Sequence, residues 1–405
     1  MQRNNNMIYL VTALFAFGRS FSGANYPSYV EVLGGTIVNY GFIQSVETFF
    51  SFICLIPAAF LADKIGHKRL VIASAIMSTL AYLIIVFAPD WQYLILGGVS
   101  VGLGRGMLMP SQVAILANSN PPKKRVRIFT ANEIARWSSL ASGYFLSSFF
   151  FIQFQNELSY RNLQLTLIIT FLVIALAIIP SILLIGNKKV LQLNDGNSKV
   201  QEPNMNIHEI INSPQGKFIL GFLLMSLVIG AGAGFLVPFT QPYFLRFLLK
   251  PSEINLIMGI TQIITAVFMG SIPFLSTKLS SVRVIYLTQG LSIPLILILA
   301  YSTLLPLSIF AYVFRIVLMN MSSPAQTTVL QQYVPKKSRA TVQSLMRATD
   351  QIGRSFSPTI SAIMISETDG FSISFTTTAL FYSVAVLILY SLTRSLRGKL
   401  DFSYI

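Results

Sequence analysis

Nine charged side chains stand inside long apolar stretches of this 405-residue sequence. Arg19, Glu47, Arg105 and Arg315 occur singly. Glu133 and Arg136 are three residues apart, and Arg347, Asp350 and Arg354 follow one another at spacings of three and four. Those spacings place each set on one face of a helix. Such groups can pair with one another, hold an anion or carry a proton. A guanidinium stays charged and offers a planar fork of donors suited to carboxylate or phosphate. Glu47 and Asp350 are the acids able to titrate, and so the candidates for carrying a coupled proton. A charge at the centre of a membrane helix costs about 2.5–3.5 kcal/mol on insertion scales, so it is expected to face a cavity or a partner. Arg19 lies about 16 Å into its apolar run at roughly 1.5 Å per residue, near mid-membrane. Six arginines against three acids leave a positive excess, to be met by solute, carbonyls or water. That favours a solute with an anionic or strongly polar group.

Other chemistry is not written in the sequence. It has no HExxH, no nucleophile elbow and no Walker sequence, and Cys54 is its single cysteine. His67 and His208 fall in loops between apolar runs. No metal site and no cofactor are therefore expected, and the chain is not read as an enzyme. A polytopic enzyme acting on lipid-linked substrates would need clustered acids or histidines at one membrane face. A primary pump would need an ATP-binding motif.

The elements that must position these charges are long apolar segments. Hydrophobic residues make up 53% of the chain and charged residues only 11%, with a mean hydropathy of +0.66. A soluble domain carries about a quarter charged residues. Disorder requires the opposite composition. Twelve apolar runs are predicted, at 8–30, 40–62, 70–88, 91–117, 129–152, 163–186, 217–245, 254–276, 283–304, 306–331, 341–364 and 373–393. The first lacks a small-residue cleavage site and is expected to be retained as a helix. The fold class is thus an all-α polytopic membrane protein with 12 transmembrane helices.

The net charge of +15 is distributed by loop. On one side fall Arg3, Lys64, Lys68, Arg69, Lys123, Lys124, Arg125, Arg127, Lys188, Lys189, Lys199, Lys217, Lys278, Arg283, Lys336, Lys337, Arg339, Arg394, Arg397 and Lys399. The other side holds only Arg161, Arg246 and Lys250. The positive-inside rule then puts both termini in the cytoplasm. It also explains the basic excess without nucleic acid, which is not expected as a partner.

The longest polar stretch divides the chain into 1–186, an N-terminal six-helix bundle, a cytoplasmic linker at 187–216, and 217–405, a C-terminal six-helix bundle. A short surface helix is expected near 206–212. Shifting the sequence so that Pro110 falls on Pro324 brings Gln112 onto Gln326, Pro121 onto Pro335, Lys123 onto Lys337, Arg125 onto Arg339, Lys64 onto Lys278 and Arg69 onto Arg283. No gap is needed from the second to the fifth span of each half. Two parallel six-helix halves are the signature of a transporter whose site lies between repeats near mid-membrane.

The loop between the second and third spans reads Ala59-Phe60-Leu61-Ala62-Asp63-Lys64-Ile65-Gly66-His67-Lys68-Arg69. Here the chain resembles the major facilitator superfamily, whose motif runs Gly-x-x-x-Asp-(Arg/Lys)-x-Gly-x-(Arg/Lys)-(Arg/Lys). Asp63, Lys64, Gly66, Lys68 and Arg69 match, and Ala59 replaces the usual glycine. A carboxylate at the end of one helix can accept hydrogen bonds from the N-terminal amides of another. The resemblance implies a conformational latch, with the partner near Thr341–Ser344 at the start of the eleventh span. The fourth span carries Gly98 where an arginine usually precedes Gly-x-Gly (here Gly102-Leu103-Gly104), and Arg105 follows two turns later. The fifth-span antiporter signature appears as Ser142-Gly143-Tyr144 without its proline. Those departures weaken drug/proton antiport specifically.

Under this resemblance the expected function is secondary active transport of a small organic solute across the plasma membrane by alternating access, with proton coupling. Uptake or exchange of an organic anion without protons and export of amphipathic compounds are the competing readings. The gate is assigned to Asp63, Lys64, Gly66, Lys68 and Arg69, with Glu133, Arg136 and Arg347 as exchanging ion-pair partners. The resemblance also implies that spans one, four, seven and ten line the cavity. The substrate-binding candidates are Arg19, Asn25, Tyr26, Arg105, Gln112, Gln241, Arg315, Gln326 and Arg354. Glycines at 230, 232 and 234 in the seventh span are expected to allow close packing or bending. The expected partners are a small-molecule solute, protons and the lipid bilayer, and the expected state is a monomer.

Overall fold

A computed structural model describes residues 2–185, 216–270, 281–334, 339–368 and 370–396. His208, Lys188, Lys189, Lys199, Lys278, Lys336, Lys337, Arg397, Lys399 and the surface helix expected at 206–212 lie outside the described residues. Regular structure among the described residues is helical throughout. In chain order the helices are α1 (Gln2–Gly23), α2 (Tyr26–Val32), α3 (Ile37–Ile65), α4 (His67–Val86), α5 (Tyr93–Asn118), α6 (Pro122–Gln153), α7 (Tyr160–Leu176) and α8 (Ile178–Leu183). They continue as α9 (Gly216–Leu236), α10 (Thr240–Leu245), α11 (Pro251–Gly270), α12 (Ser281–Tyr301), α13 (Leu305–Tyr333), α14 (Arg339–Glu367) and α15 (Ser372–Leu396). A single 3-10 turn at Val237–Phe239 joins α9 to α10.

Nine described spans are long and apolar enough to cross a bilayer, and the bent pair α1 and α2 makes a tenth. The fifth and eleventh spans, α6 and α14, are 32 and 29 residues long and carry the Glu133/Arg136 and Arg347/Asp350/Arg354 sets. With them the described helices make up the twelve expected spans. The helices overrun the apolar runs mainly at their polar ends. α1 begins at Gln2 rather than near residue 8 because buried Asn4 and Asn5 are bonded in place, Asn4 to Ser119 Oγ at 3.4 Å and Asn5 to Asn120 Oδ1 at 3.0 Å. α6 begins at Pro122, where a missing N–H costs nothing in a first turn. The close boundary between the ninth and tenth spans is real: α12 stops at Tyr301 and Pro306 opens α13. Phe60, Phe87, Leu380 and Leu387 are each more than 60% exposed, apolar surface of the kind that lipid covers.

The internal repeat is present in the helix boundaries. The shift that carries Pro110 onto Pro324 takes the start of α3 (Ile37) onto the start of α11 (Pro251), and the start of α4 (His67) onto that of α12 (Ser281). It takes the end of α6 (Gln153) onto the end of α14 (Glu367). The first and seventh spans even break at matching residues, since Tyr26 opens α2 and its equivalent Thr240 opens α10. α1 and α2 meet at 50°. Both breaks are proline-driven, with Pro27 in one and Pro238 and Pro242 in the other, because proline cannot donate to the carbonyl four residues back. The Pro238 carbonyl, deprived of the Pro242 N–H, accepts from Tyr40 Oη at 3.0 Å. Such repair of freed backbone groups is what a bilayer demands.

The chain forms two compact units, one of Met1–Asn197 with Pro238–Ile263 and one of Ser198–Val237 with Ile264–Ile405. In the first, α5 is a wedge of glycines. Gly98, Gly102 and Gly106 lie against the backbone of α3, and Gly97 and Gly104 against α4; a Cβ at Gly102 would collide with the Glu47 carbonyl. The segment from Pro238 is bonded into this unit through Gln241 Nε2 to Ser28 Oγ at 2.6 Å and Ser148 Oγ to the Ser252 carbonyl at 2.7 Å. In the second unit α9 packs closely on α14. Gly230 abuts the Asp350 backbone, Gly353 abuts Leu227 and Ala231, and Gly234 abuts Ser357, so the glycines of the seventh span do permit close approach.

Candidate functional site

Three of the charged residues meet in the first unit. Arg19 is on α1 just before the break, Glu47 on α3 and Arg105 on α5. One carboxylate oxygen of Glu47, Oε1, lies 3.5 Å from Arg19 and 3.6 Å from Arg105. The backbone contact at Gly98 and Gly102 brings α3 close enough to α5 for Arg105 to reach that oxygen. Gly98, at the position usually held by arginine, faces the Ile43 carbonyl, against which an added Cβ would be crowded. Arg105 supplies the fourth span's positive charge instead. The Glu47 side chain is 13% exposed, whereas that of Arg19 is 52% exposed. Two guanidiniums and one carboxylate carry a net positive charge, and Arg19 is the member with free surface.

Tyrosines surround this cluster. Tyr40, Tyr82 and Tyr144 lie within electrostatic reach of Arg19. Tyr26 is edge-on to Tyr40 with ring centroids 6.2 Å apart, and stacks on Tyr29 at 6.5 Å. Asn25 is buried at the break, with neither its amide oxygen nor its amide nitrogen hydrogen-bonded among the described residues. Gln241 is also buried; its nitrogen is held by Ser28 and its oxygen is unpaired. Arg246 stacks over the rings of Tyr243 and Phe247. Gln112 is engaged within the bundle, donating to Thr12 Oγ1 and, at 3.3 Å, to Asn132 Oδ1.

The remaining charges pair locally. Arg136 is bonded to Glu133 one turn earlier at 2.6 Å and lies over the Trp137 ring. Arg354 holds Asp350 through two bonds of 2.9 and 3.3 Å. Arg347 is exposed on the same helix. Gln326 donates to Ser322 of its own helix at 3.2 Å. Arg315 is only 2% exposed, donates to Tyr382 Oη at 2.7 Å and lies 5.7 Å from that ring.

The loop motif has a definite backbone. Gly66 ends α3 and starts α4 at φ +94°, a conformation that only glycine adopts readily. Lys64 closes α3, and Lys68 and Arg69 open α4. The side chains of Asp63 and Thr341 lie outside the described residues, so the latch contact between them is not described.

Sequence reasoning missed Tyr40, Tyr82 and Tyr382. A tyrosine in an apolar run reads as an interfacial or packing residue, and only its contact with a guanidinium marks it out. Among the described residues no three His, Cys, Asp or Glu side chains are grouped to hold a metal ion.

Short stretches of the chain are similar to D-xylose-proton symporter-like 1 of Arabidopsis thaliana, at 29% identity over 111 residues, or 27% of this chain and 22% of that one. Others are similar to a multidrug resistance protein B homolog of Mycobacterium tuberculosis, at 34% over 119 residues, or 29% and 20%. The chain thus matches about a fifth of the length of these relatives. In structure it superposes on a bacterial homolog of the human lysosomal transporter Spinster with a TM-score of 0.77, at 15% identity and over 97% of each chain, which establishes the shared fold. The sequence profile of the Major Facilitator Superfamily matches residues 8–358 and again 222–400. With helix order, repeat and loop motif in agreement with that profile, the chain belongs to the Major Facilitator Superfamily.

Proposed function

We propose that this protein is a secondary active transporter that carries a small organic solute bearing an anionic or strongly polar group, by alternating access and with proton coupling. The observation that supports this reading is the Glu47 carboxylate held between Arg19 and Arg105, a cluster of net positive charge whose Arg19 is half-exposed. An arriving anion competes with Glu47 for Arg19, while Arg105 retains Glu47. Asn25, Tyr26 and Gln241 supply the neutral contacts, because their polar atoms lie near the same helix breaks and two of them have unpaired amide groups. Arg354 and Gln326 are proposed to act on the solute from the second unit. Glu47 and Asp350 are the proposed proton carriers, each already in contact with an arginine. The two six-helix halves, 1–186 and 217–405, rock about the site, with the linker at 187–216 between them. Asp63 and the basic residues around Gly66 latch one gate, and Glu133, Arg136 and Arg347 exchange partners as it opens. The protein acts as a monomer in the plasma membrane, with both termini in the cytoplasm.

The test is ligand-induced stabilisation of detergent-purified protein by a panel of anionic, neutral and cationic solutes. Binding to the folded state raises the unfolding midpoint by mass action. Anions are expected to stabilise the wild type, and Arg19→Gln should weaken that binding by roughly ten- to a hundredfold, the worth of about 1.5–3 kcal/mol for a charge-assisted hydrogen bond. Stabilisation by lipophilic cations alone, unchanged in Arg19→Gln, would replace the anion reading with export of amphipathic compounds.

A further inference from the structure

The second unit contains a buried charge, expected from the sequence to bind substrate, to which the proposed function assigns no role. Arg315 is buried in α13 with a single hydrogen bond, to the Tyr382 hydroxyl, and its Nε has no partner among the described residues. On the nearby helix α14, Asp350 is already bonded to Arg354. A buried cation without a counter-charge is strongly disfavoured, and a phenol hydroxyl offers only a dipole in return.

A second unpaired group lies in the same layer. Ser372 Oγ donates to the Ala300 carbonyl at 2.8 Å, which sets the start of α15 level with the end of α12, and α13 begins just across the turn at 302–304. Counting inward at roughly 1.5 Å per residue, Gln289 of α12, Arg315 of α13 and Tyr382 of α15 all lie about 15–18 Å from that end. Gln289 is 1% exposed, and neither its amide nitrogen nor its amide oxygen has a partner among the described residues. α12 packs against both α13 and α15, so this amide is enclosed by the helices that carry Arg315 and Tyr382. Tyr382 is fixed from behind by Gly232 of α9. An unpaired guanidinium nitrogen and an unpaired amide nitrogen in one apolar layer form a donor set for a negative charge. With every member at most 2% exposed, the occupant is small and monatomic in scale.

We propose that the second unit holds a resident halide ion, chloride under ordinary conditions, coordinated by Arg315 and Gln289 beside Tyr382 and separate from the Arg19–Glu47–Arg105 cluster. The ion neutralises Arg315 and ties α12 to α13.

The full-length purified protein is unfolded thermally in sodium chloride and in sodium gluconate at matched ionic strength. Chloride is expected to raise the midpoint saturably, with bromide replacing it, and Arg315→Met is expected to abolish the difference between salts. Gln289→Leu keeps the charge and should raise the half-saturating chloride concentration several-fold, which keeps the test open if Arg315→Met does not fold. Arg19→Gln should retain the wild-type chloride response, separating this site from the proposed solute site. Equal midpoints in chloride and gluconate, or a chloride response lost in Arg19→Gln and kept in Gln289→Leu, would overturn the proposal.

Discussion

At the scale of single residues, the outcome turns on which charge finds which partner. Glu47 faces two arginines from different helices, at 3.5 and 3.6 Å, whereas Asp350 is held by Arg354 on its own helix at 2.9 Å. The first arrangement spans three transmembrane helices and is disturbed when any of them moves; the second rides on α14 as a unit. Glu47 is therefore the better placed of the two acids to link occupancy with helix motion. Glu47→Gln should remove accumulation driven by an imposed proton gradient in proteoliposomes while leaving solute exchange across the same membrane in place. Accumulation at the wild-type rate would transfer the coupling role to Asp350 or eliminate it. Position in the chain also leaves the partners of a polar side chain open. Gln112 was singled out by its place on the fourth span, yet its amide is occupied by Thr12 and Asn132, and its position in the chain could not reveal that bond.

At the scale of elements, the glycines of α5 decide the geometry of the site. Gly98, Gly102 and Gly106 fall at successive intervals of four, one face of a helix, and each meets the backbone of α3. That contact replaces side-chain packing with direct backbone approach, which small residues permit in membrane helices. Gly102→Val would force α3 and α5 apart. A loss of roughly 1–3 kcal/mol is expected from overpacking, together with weakened binding of the anionic solute as Arg105 is drawn from Glu47. A lower thermal midpoint with unchanged affinity would show that the spacing of α3 and α5 does not tune the cluster. The breaks in the first and seventh spans belong to this scale too. Their prolines are visible in the sequence, but the bonds that satisfy the carbonyls at the seventh-span break, Tyr40 to Pro238 and Ser361 and Ser374 to Phe235, come from helices distant in the chain.

For the whole molecule, the relevant quantities are topology and the gate. Cysteines introduced at Glu157, in the short loop before α7, and at Lys124, at the start of α6, should label oppositely with a membrane-impermeant maleimide on intact cells. Glu157 is expected to react from outside and Lys124 only after permeabilisation. Both reacting from the same side would overturn the cytoplasmic placement of the basic loops. Asp63→Asn keeps the size of the side chain and removes its charge. It is expected to slow transport by tenfold or more without lowering the thermal midpoint, since a latch acts on the rate of interconversion and not on the fold of either half. Wild-type rates in proteoliposomes would remove Asp63 from the gate.

The sequence by itself determined the solvent, the number of spans and the repeat. Each of these follows from properties that are additive along the chain: apolar length, the placement of prolines and glycines, and the recurrence of both at one shift. That is why Ile37 and Pro251, His67 and Ser281, or Gln153 and Glu367 mark equivalent helix ends that a linear comparison anticipates. The tertiary structure alone decided that Glu47 is shared by Arg19 and Arg105, that Arg315 is closed in against Tyr382, and that Gly98 is a contact surface where an arginine was looked for. Those outcomes depend on how far each helix is rotated about its axis and how closely its neighbour approaches. A rotation of one residue, about 100° in an α-helix of 3.6 residues per turn, turns a cavity-facing charge towards lipid. Hydropathy is nearly indifferent to that rotation; packing between backbones is not.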